Sequence, residues 1–153
     1  TPVNVAEAEI SGIELEGEWV FFEDWRLWAN YTRIRGDNET DDEPLSSIPA
    51  DKVTVGLDYY CRVLGLSPGV RINHVWDQDR VPTDVTPSDN YTTVDLVLSW
   101  QPDVKSRDLQ WLNDFRVDLF IENVTDEFYT PFLSGVPESG INPGVSITWT
   151  KTF

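Results

Sequence analysis

The sequence predicts an all-β fold whose antiparallel strands follow one another up and down, in the manner of a transmembrane β-barrel. Three observations predict it. Apolar and polar residues alternate with a period of two in seven segments, the pattern of a strand with two unlike faces. Five of these seven segments run to nine or ten residues, close to what a tilted membrane strand requires, whereas strands of water-soluble proteins average ~5–6 residues. Mostly short connections alternate with long ones.

The alternating segments occur along the whole chain. In order, they are residues 12–21, 26–35, 52–60, 70–76, 91–100, 116–123 and 145–153. The first alternates apolar residues with glutamate, and the last alternates them with serine and threonine. The second is less regular, because Trp28 and Ile34 fall on the face opposite to its other apolar residues.

The connections differ in length, and this difference gives the strands a direction. Residues 23–24 and 62–68 form short links, and residues 103–114 form a link of medium length. The long, polar connections are residues 36–50, 77–90 and 125–143. Outer-membrane barrels join their strands by short periplasmic turns and longer extracellular loops. The first and last strands are therefore predicted to run inward, with the last strand ending in the periplasm.

The composition excludes several classes of protein. The chain carries 27 acidic and 11 basic residues, a formal charge of −16, so nucleic acid is not expected as a partner. One cysteine and one histidine cannot form an internal disulfide or a Cys- or His-rich metal centre, so neither a metal nor a cofactor is expected. No nucleophile stands beside a base, so no catalytic residues are predicted and the chain is not expected to be an enzyme.

An odd number of strands indicates a part of a larger barrel. Bacterial single-chain barrels have even strand numbers, and seven strands leave two open edges that lipid does not tolerate. The chain also contains no methionine and begins at Thr1. We therefore expect residues 1–153 to be one portion of a β-barrel domain whose other strands lie upstream.

An ordered set of motifs resembles the C-terminal strands of TonB-dependent outer-membrane receptors. The set comprises NVAEAEISGIELE at residues 4–16, WANYT at 28–32, PL, IPADK and GLDY within 44–59, YTTVDL at 91–96, ENVTDEFY at 122–129, and PGV at 143–145 before the final strand. These matches cover nearly the whole chain, in order and with compatible spacing.

This resemblance implies the last seven strands of a 22-stranded barrel, with the plug domain absent from the chain. It implies a receptor of the bacterial outer membrane that takes up an iron–siderophore or haem by active transport. The chain would supply barrel wall and extracellular loops. The implied partners are outer-membrane lipid, the iron chelate or haem, the barrel-assembly machinery, and the TonB energy-coupling system, which would act through the missing plug.

The alternative is a secreted or surface β-sandwich that binds a ligand such as carbohydrate. Both folds produce a period of two, so alternation alone does not separate them. A sandwich has an apolar core and polar residues facing solvent, whereas a barrel has apolar residues facing lipid and a polar lumen. Strand length and the terminal Phe153 favour the barrel.

Charged residues on the polar face of the strands are predicted to line a watery lumen. Glu14, Glu16 and Glu18 share one face of the first segment, and three like charges would be prohibitive in a soluble core. The residues predicted to face the lumen are Glu14, Glu16, Glu18, Asp95, Arg116, Asp118 and Glu122.

Substrate contact is predicted at the long loops and the strand ends beside them. The candidates are Asp37, Glu39, Asp41, Asp42, Glu43, Tyr91 and Tyr129. The acidic cluster is not an EF-hand, because the sixth and twelfth positions counted from Asp37 are Asp42 and Ile48 instead of Gly and Glu. His74 lies mid-strand on the apparent apolar face, so a structural role is expected for it and not ligation of haem iron.

The last residues predict a signal for barrel assembly. Ile147, Trp149 and Phe153 share one face of the final segment, and an apolar row that ends in a terminal aromatic residue suits recognition by the barrel-assembly machinery. Tryptophans lie mostly near strand ends elsewhere in the chain, which favours aromatic belts at the two membrane interfaces.

Overall fold

The computed structural model describes residues 7–138 and 140–150 of the 153-residue chain. Its strands are β1 (Ala8–Phe21), β2 (Trp25–Asn38), β3 (Glu43–Pro44), β4 (Lys52–Tyr59), β5 (Leu66–Val75), β6 (Tyr91–Trp100), β7 (Phe115–Glu122) and β8 (Asn142–Trp149). A 3-10 helix, Arg107–Asp114, precedes β7. Within this part of the chain no helix combines the length and the apolar character needed to cross a membrane.

The strands form one antiparallel sheet in which neighbours along the chain are neighbours in space. The order across the sheet is β1-β2-β4-β5-β6-β7-β8, and the two-residue β3 pairs with the loop end of β2. The register runs continuously across the first strands, with Leu15 opposite Tyr31 and Tyr31 opposite Val53. The predicted all-β, up-and-down fold is confirmed.

Several predicted boundaries are wrong by a few residues. β1 begins at Ala8 and not at residue 12, because its first residues continue to pair with the end of β2. β5 likewise begins at Leu66 and β8 at Asn142, earlier than their alternation suggests. The sequence does not predict β3, which forms only because Glu43 and Pro44 meet the end of β2 across a turn.

The sheet has one polar and one apolar face. Because side chains alternate along each strand, residues in register across the sheet share a face. One such row runs from Glu16 through Asn30, Thr54 and Asn73 to Thr93, and it is polar throughout. The apolar face carries Ile13, Leu15, Leu27, Val53, Val55, Val70, Ile72, Val94, Leu96, Leu98, Val117, Leu119, Val145 and Ile147.

In the described part of the chain, no second layer covers the apolar face. Among the described residues, Ile48 is the one buried large hydrophobic residue, and it lies in a loop. Side chains on the apolar face remain exposed, for example Leu15 at 61% and Ile147 at 67%. A sandwich requires two sheets packed about 10 Å apart, with their apolar faces toward each other. The single sheet therefore does not fit the sandwich alternative.

Aromatic rings gather on the apolar face at the end with the short turns. Phe21 and Trp25, on either side of the first turn, have ring centroids 6.2 Å apart, and Trp25 lies 4.8 Å from Tyr59. At the far side of the sheet Phe115 and Trp149 are separated by 6.4 Å. Aromatic rings in a row across a sheet are typical of a membrane interface.

Candidate functional site

Three long connections emerge at the same end of the sheet, because alternate strands run in opposite directions. They are residues 39–51, 76–90 and 123–141. We call this end the loop rim. The shorter connections, residues 22–24, 60–65 and 101–114, lie at the opposite end. The loop rim brings together residues that are far apart in the sequence, and it is the candidate site.

Two predicted candidates, Tyr91 and Tyr129, meet at the loop rim. Tyr91 opens β6 on the polar side of the sheet, and Tyr129 comes from the last loop. Their rings stack with centroids 4.1 Å apart and planes inclined by 19°. The hydroxyl of Tyr129 donates to Glu138 Oε2 at 3.1 Å, and the two residues also exchange backbone hydrogen bonds. Burial, together with the hydrogen bond to Glu138, raises the pKa of Tyr129 to about 12.

A cleft opens beside the tyrosine pair. Its volume is about 360 Å³, and residues 86–90 line one side while residues 128–132 and Gly135 line the other. The aromatic residues in its wall are Phe128, Tyr129 and Phe132, and Phe128 is 68% exposed. An open cleft with aromatic walls and a few polar groups can accept a flat, largely apolar ligand.

Asn123 anchors the loop that carries Tyr129. It is 6% exposed and has a left-handed backbone, with φ of 51°. Its side-chain amide donates to the carbonyl oxygens of Glu127 (2.8 Å) and Gly140 (3.4 Å), while its side-chain oxygen accepts from the backbone N–H of Glu127 (3.0 Å). Its own backbone N–H donates to Asp95 Oδ1 at 2.9 Å. Asn123 thus fixes both ends of the loop to β6.

The first two long loops are tied together by a buried glutamine. Gln78 is 4% exposed, and its amide donates to the carbonyl oxygens of Ile48 (2.9 Å) and Pro49 (3.3 Å). The side chain of Ile48 packs over Gly36, where an added Cβ would lie 2.6 Å from its terminal carbon. All three loops are therefore fixed to the sheet or to one another.

The predicted acidic cluster lies apart from the tyrosine pair. Asp37 forms an ion pair with Arg80 of the next loop, and Asp41 accepts a hydrogen bond from Asn38 at 2.8 Å. Asp37, Glu39, Asp42 and Glu43 line a smaller cleft of about 200 Å³. Across residues 7–138 and 140–150, no group of three or more His, Cys, Asp or Glu side chains has the arrangement of a metal site.

The residues predicted to face a lumen all fall on the polar face of the sheet. Some of these side chains are paired: Glu18 with Arg26 at 2.7 Å, Arg116 with Asp118 at 2.9 Å, and Glu122 with Asn142 at 2.8 Å. Asp95 accepts from Asn73 at 2.8 Å in addition to its bond with Asn123. The unpaired members are Glu14 and Glu16, which have no ion-pair or side-chain hydrogen-bond partner among the described residues.

Sequence reasoning does not find the tryptophan platform on the polar face, which lies near the short turn between β1 and β2. The ring of Trp28 lies flat over Gly56, where any side chain would overlap it. Its indole N–H donates to Asp58 at 3.0 Å. The guanidinium groups of Arg26 and Arg71 each lie 5.9 Å from the ring centre. The irregular position of Trp28 in its strand is the signal that could have identified this feature.

His74 lies on the apolar face, as do Ile147 and Trp149 of the predicted assembly residues. His74 Nδ1 is hydrogen-bonded to Thr92 Oγ1 at 2.8 Å, and its ring lies edge-on to Trp76 with centroids 4.6 Å apart. It therefore faces away from the cleft and from the polar side. Ile147 and Trp149 are exposed on β8, while Phe153 lies outside the described residues.

The high pKa of Tyr129 gives a direct test of the rim geometry. We expect this tyrosine to ionise near pH 12, above the ordinary value of 10.0, because burial and Glu138 both oppose the phenolate. A folded-state pKa that is raised stabilises the fold below pH ~10, and this contribution is lost as the pH rises through about 12. Tyrosinate absorbance during alkaline titration measures it.

Tyr129→Phe should remove the last step of that titration curve. Tyr60→Phe, at a 45% exposed tyrosine beyond the opposite end of the sheet, is the control and should leave the last step in place. An unchanged last step in Tyr129→Phe would show that Tyr129 is not held against Glu138.

Known proteins are similar to this chain in sequence and in fold. The family model described as "TonB dependent receptor-like, beta-barrel" matches residues 1–124. The Heme/hemopexin utilization protein C of Haemophilus influenzae (strain 86-028NP) is 33% identical over 148 residues, which make up 96% of this chain and 20% of that protein. The chain therefore spans about a fifth of the length of the curated relatives that it matches.

Two solved structures have the same fold. The copper transporter OprC matches with a TM-score of 0.79 and 22% identity, over 93% of this chain and 23% of that one. The FrpB iron transporter from Neisseria meningitidis (F3-3 variant) matches with a TM-score of 0.72 and 14% identity, over 93% of this chain and 24% of that one. At these identities the likeness concerns the fold of the strands and leaves the ligand open.

Proposed function

This chain belongs to the TonB-dependent receptor family, whose members are bacterial outer-membrane proteins, and on that premise we propose that it forms the C-terminal part of a barrel wall. The receptor would take up haem by active transport. The chain would contribute strands, lumen surface and three extracellular loops, and it would have no enzymatic activity. The plug and the remaining strands would lie in the upstream part of the protein.

One observation carries the proposal that the sheet is a membrane wall. Its apolar face is exposed, with no second layer among the described residues, and its opposite face carries most of the charged side chains of the strands. In water, such an arrangement would leave a large apolar patch exposed and would favour aggregation. In a barrel, the same arrangement places the apolar side chains in lipid and the charged ones in a watery interior.

The choice of haem rests on the relatives and on the cleft. The curated relatives are named for the utilization of heme and hemopexin. The cleft beside Tyr91 and Tyr129 has an aromatic wall, and an exposed Phe128 stands at its edge. Flat aromatic ligands stack on such side chains. The substrate-contact role of Tyr91, Tyr129 and the acidic cluster 37–43 is part of this proposal.

Family membership supports a proposal for the other partners. Outer-membrane lipid would surround the apolar face, and the barrel-assembly machinery would recognise the C-terminal strand through Ile147, Trp149 and Phe153. The TonB system would supply energy through the plug. The carboxylates on the polar face, such as Glu14 and Glu16, would line the space that the plug occupies.

Uptake of haem by the complete receptor tests this proposal. The receptor is expressed in a bacterium that cannot make haem, and growth is measured on limiting haem. Tyr129→Ala should raise the haem concentration needed for half-maximal growth about five- to tenfold, the scale of one lost aromatic contact. Tyr60→Ala, at an exposed tyrosine on the opposite end, is the control and should grow as the parent does.

Two results would contradict the proposal at different levels. If the parent receptor supports growth on a ferric siderophore but not on haem, the receptor assignment stands and haem is the wrong substrate. If Tyr129→Ala and Tyr60→Ala take up haem equally well, the cleft is not the contact site.

A further inference from the structure

The connection between β6 and β7 differs from its neighbours at the end of the sheet opposite the loop rim. It spans residues 101–114, whereas the two other connections at this end are residues 22–24 and 60–65. Most of it forms the 3-10 helix Arg107–Asp114, and nothing in the described chain buries any residue of that helix. The helix is therefore available for contact with a further partner.

Hydrogen bonds hold this connection in one position. At its start, the backbone N–H of Gln101 donates to the neighbouring connection at 2.8 Å. In its interior, the side chain of Asn113 exchanges hydrogen bonds of 2.7 and 3.0 Å with the backbone of Val104. At its end, the carbonyl oxygen of Asp114 accepts from the backbone just beyond β8 at 2.8 Å. The helix therefore has a defined orientation relative to the sheet.

The helix has an apolar and a polar row of side chains. A 3-10 helix has three residues per turn, so side chains three positions apart lie above one another. Leu109 and Leu112 form one such row, and its next position is Phe115, on the apolar face of β7. The polar row consists of Arg107, Gln110 and Asn113.

The two rows turn toward different faces of the sheet. Asn113 lines a cavity of about 740 Å³ on the polar face, together with Asp103 of the same connection. On the apolar side, Trp111 lies edge-on to Phe115, with ring centroids 5.7 Å apart. Phe115 is in turn 6.4 Å from Trp149, so Trp111 extends the row of aromatic rings beyond the end of the strands. The exposed apolar side of the helix is continuous with the apolar face of the sheet.

This continuity indicates what covers the helix. Leu109 is 46% exposed and Trp111 is 55% exposed. Residues 101–114 carry three acidic and two basic side chains, so their charges nearly balance and do not favour a strongly charged protein partner. A helix with leucine and tryptophan on one side and polar residues on the other lies flat in a membrane interface. The indole ring suits this position, because its body is apolar and its N–H is polar.

We propose that the helix Arg107–Asp114 lies in the periplasmic leaflet of the outer membrane, with Leu109 and Trp111 inserted between headgroups and acyl chains. The connection is then a membrane-bound element instead of a turn surrounded by water. Its occupant is the hydrocarbon of phospholipid, and no particular headgroup is required. The inference rests on the proposed function only in that the apolar face must contact lipid.

Cysteine labelling in the complete receptor tests the inference. The receptor is placed in nanodiscs of phosphatidylethanolamine and phosphatidylglycerol, which leave both sides accessible, and its other cysteines, Cys61 included, are replaced by serine. Leu109→Cys should react with a water-soluble maleimide about tenfold more slowly than Gln110→Cys, the scale for a leucine-sized side chain that leaves water. Gln110 is the matched control, because it is the next residue of the helix and lies in the polar row. After unfolding in detergent the two variants should react equally.

Quenching by brominated phospholipid identifies what covers the helix. The difference in fluorescence between the parent and Trp111→Phe is the emission of Trp111. Lipid brominated near the headgroup end of its acyl chains should quench most of this emission. Trp28, on the polar face, is the control, and the emission lost in Trp28→Phe should not be quenched. This measurement does not depend on the folding of the cysteine variants.

The inference is overturned if Leu109→Cys and Gln110→Cys react at the same rate in nanodiscs, because the helix then lies in water. Slow reaction of Leu109→Cys without quenching of Trp111 would show that another part of the receptor covers the helix, and would also overturn it. Protection of Leu109→Cys in cells but not in nanodiscs would assign the helix to a periplasmic protein, with the same consequence. Failure of haem uptake with both membrane results intact would reject the proposed substrate and leave this inference standing.

Discussion

Leu96→Arg is expected to prevent the receptor from accumulating in the outer membrane, while Val97→Arg at the next position is tolerated. Leu96 is 41% exposed on the apolar face near the middle of β6, and Val97 lies on the polar face. An arginine at the middle of a lipid face costs about 2–4 kcal/mol, whereas lumen positions accept one. The two substitutions add the same side chain one residue apart, so they differ in face alone.

The amount of folded receptor in outer-membrane fractions measures this effect. Folded barrels resist unfolding by detergent without heating, so the folded fraction can be followed on gels for both variants. Equal accumulation of the two variants would mean that the two faces do not meet different solvents. Loss of Val97→Arg alone would mean that lipid and lumen are assigned to the wrong faces.

Asn123→Ala is expected to release the last long loop and to abolish ligand uptake while the strands stay assembled. Asn123 is buried, and its side chain satisfies the backbone of Glu127 and Gly140 at both ends of the loop. Each buried polar group left without a partner costs about 1–3 kcal/mol. Alanine also disfavours the left-handed backbone at this position. Tyr129 would then leave its stack with Tyr91.

Proteolysis of intact cells measures this release. The loop of residues 123–141 should be cleaved in Asn123→Ala and protected in the parent, and haem uptake should fall with it. Asn142→Ala, which removes a single exposed hydrogen bond to Glu122 in the same hairpin, is the control and should stay protected. Protection of the loop in Asn123→Ala would contradict its role as the anchor.

The strands could be predicted from the sequence because alternation is a local property. A period of two in segments such as residues 91–100 requires no knowledge of the partners, and β6 is found at those bounds. β3 and the 3-10 helix Arg107–Asp114 could not be predicted in the same way. The strand β3 depends on pairing across a turn. The 3-10 helix depends on Asn113, whose side chain exchanges hydrogen bonds with the backbone of Val104.

The candidate site could be predicted from the sequence only in part. Tyr91 and Tyr129 could be selected as aromatic residues at strand ends, but their contact depends on the order of strands across the sheet. The motif around Asn123 is visible in the sequence, whereas its role depends on a left-handed backbone and on Asp95. The sequence also shows two faces for each strand without telling whether a second layer covers the apolar one.

Buried side chains hold the long loops in place: Gln78 bonds to the loop of Ile48, and Asn123 bonds to its own loop. These hydrogen bonds have a consequence for the affinity of a ligand. Loops that are already ordered have lost most of their conformational entropy before a ligand arrives. The cost of ordering the protein then offsets less of the binding free energy, so the ligand binds more tightly. A rim that is preorganised in this way can bind a scarce ligand tightly with only a few direct contacts.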